Sequence, residues 1–241
     1  MRKKIYFIRI IFIFFLIITS IYTWFNLNNN NVVTDYVMLI DDPVIYDNNL
    51  EKDIINSYVT RYKNKEVVGE ISILNADYKK VIVQHNDNDY YLNHTENKKS
   101  SFMGAIFLDY RVNIDTSKKL LVYGHNSSKV NMPFKILDNY YSYDYYIEHP
   151  YIQIVTSKDT KLFKIYSVYV ETEDFSYMKT DFSNDDEWYK HILKFKKKSL
   201  YDTGVEINKD DNILILQTCS THKNYKKYKD KYLLVIAKEV K

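Results

Sequence analysis

The sequence predicts a mostly-β protein whose eight strands close, or nearly close, into a barrel. Three observations carry this expectation. Eight short apolar or alternating runs, VVGEISIL, KVIVQ, GAIFLD, KLLVYGH, YIQIVT, KLFKIYSVYVE, NILILQTC and YLLVIAKEV, are separated by polar turns, the pattern of strands that bury one or both faces. Helical periodicity is confined to a few segments that do not alternate regularly with the strands, which argues against a parallel strand-helix fold. Aromatic residues make up 16% of the chain, mostly as 25 Tyr, against only 4 Gly and 3 Pro, a composition suited to half-buried strand faces and not to low-complexity chain.

Taken in order, residues 1–25 place Arg2, Lys3 and Lys4 ahead of an uncharged run from Ile10 to Phe25. Arg9 can snorkel and let Ile5 to Ile8 lengthen that run, so the expectation is an uncleaved transmembrane signal anchor, cytoplasmic at its N-terminus, with the rest outside the cell. Residues 26–47 are polar and Asn/Asp-rich and read as a tether. A single globular domain is expected over 48–241. It opens with Leu50, Ile54, Ile55, Tyr58, Val59 and Tyr62 at helical spacing. A helical insertion is expected around Pro133 to Ile147. Another is opened by SNDDEW, where Ser183 or Asn184 can cap, Asp185 to Glu187 suit the positive helix end, and Trp188, Ile192 and Phe195 share a face.

Charge narrows the partners. Leaving out the cations at positions 2, 3, 4 and 9, the chain carries 30 Lys+Arg against 31 Asp+Glu, so nothing electrostatic supports nucleic-acid binding. The one cysteine, Cys219, excludes an intrachain disulfide. Cys219 and His222 form a lone C-x-x-H with no second cysteine to complete a zinc site, and neither a metal nor another cofactor is expected. Two readings of the thiol remain, a small buried residue or a nucleophile at the end of an apolar strand. A nucleophile needs a histidine nearby. Of the six, His85 and His94 lie in a polar stretch, His149 precedes Pro150, and His191 sits on the predicted helix among Lys and Tyr. His125 differs, because LVYGHN places it at the end of another apolar strand directly after Gly124, a residue that permits a sharp exit or the close approach of another chain.

NDNDYYLNHTENKKSSFMGAIFLDYR, LVYGHN, EHPYIQIVT, KIYSVYV and the closing TC-loop-strand unit, in that order, resemble the class B sortases, membrane-anchored cysteine transpeptidases of Gram-positive bacteria. The resemblance implies a sortase-type barrel with an N-terminal helix and a helix inserted before the Cys-bearing strand. It implies that His125 and Cys219 are the catalytic pair. By the same resemblance, Cys219 would form a thioester with a C-terminal sorting signal of the Asn-Pro-x-Thr type on a secreted protein, and an amine of a peptidoglycan precursor or cross-bridge would resolve it. The chain departs from the family in two places. Ile215 stands where Thr is usual, and the arginine expected at the head of the last strand is absent, since the four arginines are at 2, 9, 61 and 111. Tyr232 takes its place, with Lys231 beside it and Lys229 nearer the usual spacing. Tyr232, then Lys231, are the candidates to hold substrate and stabilise the oxyanion. An anchored barrel that has lost efficient turnover and acts as a binding or scaffold protein is the alternative that the missing arginine raises.

Overall fold

A computed structural model describes residues 48–240. All eight apolar runs form strands: β1 (Val67–Ile73), β2 (Lys79–Val83), β3 (Ile106–Leu108), β4 (Lys119–Tyr123), β5 (Tyr151–Val155), β6 (Thr160–Glu171), β7 (Ile213–Cys219) and β8 (Tyr232–Glu239). They close into a barrel in the order β1-β2-β3-β4-β7-β8-β6-β5. Two neighbouring pairs, β2 with β3 and β4 with β7, are parallel, and the other pairs are antiparallel.

The period of two decides which residues fill the barrel. On β7, Leu214 and Leu216 point into the interior beside Leu120 and Val122 of β4 and Leu233 and Val235 of β8. The intervening Ile213 and Ile215 face outward with Leu121, Leu234 and Ile236. That outer face is apolar as well, so it needs a cover, and the helix α3 (Asp185–Lys198) supplies one with Trp188, Ile192 and Phe195, each no more than 2% exposed. Asn184 is the cap, its side chain accepting from the Glu187 amide at 2.9 Å, while Glu187 reaches back to the Ser183 amide. The helix α1 (Asn48–Tyr62) covers a second outer patch made by Val67, Val81, Val83 and Phe107. Ile55 is buried there, whereas Leu50 stands exposed one turn earlier. The insertion expected over 133–147 divides into a 3-10 turn (Lys135–Tyr141) and a one-and-a-half-turn helix, α2 (Tyr143–Glu148), capped by Ser142.

The expectation of a single-pass membrane protein is corrected. Among the described residues no helix is long and apolar enough to cross a membrane. The helices α1 and α3 have 15 and 14 residues, a length of about 21–23 Å at about 1.5 Å per residue, and both carry charges throughout. The anchor expected at 1–25 and the tether at 26–47 lie outside the described residues.

Candidate active site at the rim of strands β4 and β7

The parallel pairing of β4 with β7 is what brings His125 and Cys219 together. Tyr123 is registered with Gln217, the Gly124 amide donates to the Gln217 carbonyl at 3.2 Å, and the Thr218 hydroxyl donates to the Gly124 carbonyl at 2.7 Å. His125 and Cys219 lie two residues beyond that registered pair, so the two strand ends carry both to the same rim. Counting in twos from Ile213 and Leu121 puts both on the outer side of the barrel, beyond the reach of α3.

Local sequence explains how the imidazole is held. A side chain at Gly124 would place its Cβ 2.6 Å from the Phe134 ring, so only glycine lets that ring pack against the strand end. The Phe134 amide then donates to the His125 carbonyl at 2.9 Å, turning the chain back at once. Gly104, with φ of 62°, closes on the imidazole from the other side. A Cβ there would lie 3.0 Å from His125 Cδ2 and under 3.0 Å from two carbonyl oxygens. His125 Nε2 donates to the Leu92 carbonyl at 2.9 Å, so in the neutral ring Nδ1 is the bare nitrogen, and it has no partner among the described residues. Sequence reading missed Leu92 and Gly104. Leu92 acts through its backbone and leaves no residue-type signal, but GAIFLD did show one of only four glycines in the chain.

Cys219 ends β7 as an exposed residue, while Thr218 before it is buried. Desolvation by the protein on the thiol's inner side pushes its pKa above the ordinary thiol value, and the charge of Lys231 offsets part of this. The resting group is therefore a thiol at neutral pH. Tyr232 lies directly opposite Cys219 in the β7-β8 ladder, which places the two side chains on one face. The same proximity helps raise the Tyr232 pKa, after desolvation, so its hydroxyl keeps its proton. Lys231 turns its ammonium to the Tyr228 carbonyl at 2.9 Å, and its own carbonyl accepts from the Ser220 amide. Arg111 is committed elsewhere. It forms a two-point pair with the fully buried Asp109, at 2.8 and 2.7 Å, and donates to the Met178 carbonyl.

A wall rises beside this face from the β6-β7 connection. The Phe175 ring meets Tyr232 edge-on at 5.8 Å. Three consecutive carbonyls just beyond it are held by cations, those of Tyr177 and Lys179 by Lys119 and that of Met178 by Arg111. The other histidines are occupied: His85 by Glu66, His94 by the Tyr90 carbonyl, His149 by the Leu74 carbonyl, and His191 by Lys119. His222 packs on Tyr141 and caps the 3-10 turn Lys223–Tyr225, accepting from the Asn224 amide. A groove of about 890 Å³ bounded by Tyr78, Glu96 and Pro133 approaches the site through Gly104 and Asp138. Neither His125 nor Cys219 lines it, and the pair sits on an open rim.

A closed barrel that carries a lone thiol and a half-free imidazole on adjacent parallel strand ends defines a class of protein suited to thiol-dependent acyl transfer. The comparisons make the class specific. The sortase domain model matches residues 71–240. Sortase B of Listeria monocytogenes is 34% identical over 165 residues, covering 68% of this chain and 67% of that protein. Sortase B of Staphylococcus aureus is 27% identical over 157 residues, 65% of this chain and 64% of that one. Among solved structures, Clostridium perfringens sortase B superposes with a TM-score of 0.69 at 29% identity over 77% of this chain and all of that one. A substrate complex of Staphylococcus aureus sortase B gives 0.70 at 26% over 79% and 86%. The chain belongs to the sortase family, and within it to class B, the cysteine transpeptidases that anchor proteins to the cell wall. This kinship does not favour an inert scaffold.

Proposed function

We propose that residues 48–241 are the catalytic domain, that Cys219 is the nucleophile and that His125 carries the proton. The observation behind this reading is the parallel β4-β7 pair, which delivers both groups to one rim. In the competent state the thiol proton resides on His125 Nδ1, since Nε2 is engaged with Leu92. Cys219 Sγ attacks the carbonyl of a sorting signal, forming the C–S bond. As the tetrahedral species collapses, the C–N bond breaks and the Nδ1 proton goes to the leaving amine. The acceptor amine then gives its proton to Nδ1 as it attacks the thioester, and the sulfur leaves. Because the folded site raises the thiol pKa, only a minor fraction of the enzyme holds the thiolate-imidazolium pair at neutral pH.

The negative charge on the carbonyl oxygen needs a donor in place of the absent arginine. Tyr232 fits, because it shares a face with Cys219 and keeps its hydroxyl proton. Lys231, whose ammonium is turned to the Tyr228 carbonyl, is the second candidate. The substrate in this reading is the Asn-Pro-x-Thr-type C-terminal signal of a secreted protein, and the acceptor is an amine of a peptidoglycan precursor or cross-bridge. The substrate complex of the Staphylococcus aureus relative supports a signal peptide as the substrate class. Incubation of the full-length protein with such a peptide should yield an acyl adduct on Cys219 that hydroxylamine removes and an added amine converts to transfer product. A folded protein that turns over the peptide with no adduct on Cys219, or with Cys219→Ala fully active, overturns the reading.

A further inference from the structure

Beyond the last backbone rung of β4 and β7, side-chain hydrogen bonds tie the two chain segments together, and one carboxylate collects them. Asp138 lies in the 3-10 turn that follows the His125 segment, and its side chain is 16% exposed. Its Oδ1 accepts from Asn126 Nδ2 at 2.7 Å. Its Oδ2 accepts from the Thr221 hydroxyl at 2.6 Å and from Lys135 Nζ at 2.7 Å. Asn126 is the residue after His125, and Thr221 is two beyond Cys219. Asn126 Nδ2 also donates to the Cys219 carbonyl at 3.1 Å, so both of its N–H bonds are consumed by acceptors. That donor demand fixes the amide orientation, because the flipped amide would turn an oxygen toward a carboxylate and a carbonyl. A second tie runs parallel to it, from the Tyr141 hydroxyl to the Ser220 hydroxyl at 2.6 Å.

We infer that Asp138, acting through Asn126 and Thr221, is a positioning residue of the transfer reaction. It locks the chain just after His125 to the chain just after Cys219 and touches no reacting atom. The inference rests on the His125/Cys219 reading above. Its physical basis is that the charged acceptor serves three donors at once. A neutral amide at the same position accepts fewer hydrogen bonds and turns its own N–H toward donors. The strand ends would then part, and a misplacement of about 1 Å between reacting groups can cost about 10²-fold in rate.

The test uses the full-length protein and a fluorogenic Asn-Pro-x-Thr-type peptide, well below the melting temperature of each variant. Asp138→Asn should lower kcat about 10- to 100-fold with KM within about twofold, and Asp138→Glu should recover part of the loss. Asn126→Ala should lower kcat similarly, and the Asp138→Asn/Asn126→Ala double variant should be no worse than the poorer single one, because both break one chain of bonds. Thr221→Val, which deletes a single bond, should cost a few-fold in kcat and stands in if Asp138→Asn does not fold. An Asp138→Asn enzyme with wild-type kcat, effects that simply multiply in the double variant, or an unaffected Thr221→Val enzyme would overturn the inference. Failure of the underlying reading looks different, since His125→Ala would then keep wild-type turnover whatever Asp138 does.

Discussion

The two ends of the β4-β7 pair treat a titratable side chain in opposite ways. At the start, Lys119 is registered with Ile213, and α3 closes over both. Lys119 is 3% exposed, and its ammonium has three acceptors for three N–H bonds: the Tyr177 and Lys179 carbonyls and His191 Nε2. Burial lowers the Lys119 pKa from 10.5 to about 7, with the charge of Arg111 adding to this. Burial also lowers the His191 pKa to about 3, so His191 is neutral and able to accept. At the other end, His125 keeps one nitrogen bare and Cys219 is exposed. At the closed end every N–H of the Lys119 ammonium is taken up, whereas at the open end His125 keeps an acceptor free. That difference marks one end of the same two strands as scaffold and the other as a place for chemistry.

The comparison can be broken most severely at the open end. His125→Ala should lower transpeptidation by about 10²- to 10⁴-fold, the usual worth of a general acid-base group, with little change in melting temperature. An equal loss of stability would mean that the imidazole is a structural group like His191. At the closed end the expected result is the reverse. Phe195→Ala, which opens a cavity beneath α3, should cost about 3–5 kcal/mol in denaturant unfolding, while kcat per folded molecule stays near that of wild type.

Tyr232 sharpens the boundary between the two ends, because its ring packs with the outer cluster while its position opposes Cys219. Tyr232→Phe should slow single-turnover acylation by about 10²- to 10³-fold if the hydroxyl is the oxyanion donor. If Tyr232→Phe and Lys231→Ala are both silent, neither side chain has that role, and a gain from Tyr232→Arg would show that the barrel still accepts the family's usual group.

A smaller and pH-dependent effect belongs to Lys119. Between about pH 7 and 10.5 the unfolded chain holds a proton that the folded chain has released, so this group makes folding more favourable as pH rises through that window and contributes no slope below it. Lys119→Met lacks the term. Wild-type stability minus variant stability should therefore rise from pH 7 to 9, by at most about 1.4 kcal/mol per pH unit, measured by urea unfolding at each pH. A signed difference that stays flat or falls as pH rises would show that the buried amine is not depressed. The smallest effect is expected at the helix cap, where Asn184→Ala should cost about 1 kcal/mol and leave the pH behaviour of both ends unchanged.

Local pattern determined a large part of this protein. Alternation in the eight runs specified the strands, the SNDDEW cluster specified the start of α3, and the position of Cys219 and His125 at the ends of apolar runs marked them as candidates. Tyr232 is singled out by its place in the last strand, where the family resemblance expects an arginine, and the ladder sets it opposite Cys219. These features are legible because a period of two or 3.6 and a cap are written within a dozen residues. What only the tertiary structure decided depends on residues far apart in the chain. The choice of β7 as the parallel neighbour of β4, with β5, β6 and α3 intervening, is a property of the closed barrel and of no single segment. The burial of Lys119 and His191, in runs that read as ordinary strand and helix, follows from α3 lying across β4. The exposure of Leu50, despite its place in the helical pattern, reflects where the patch beneath α1 ends. The grip of Leu92, Gly104 and Asp138 on the rim exists only once the β2-β3 and β4-β5 connections meet the end of β7, because a backbone carbonyl or a carboxylate acquires its partner from the fold.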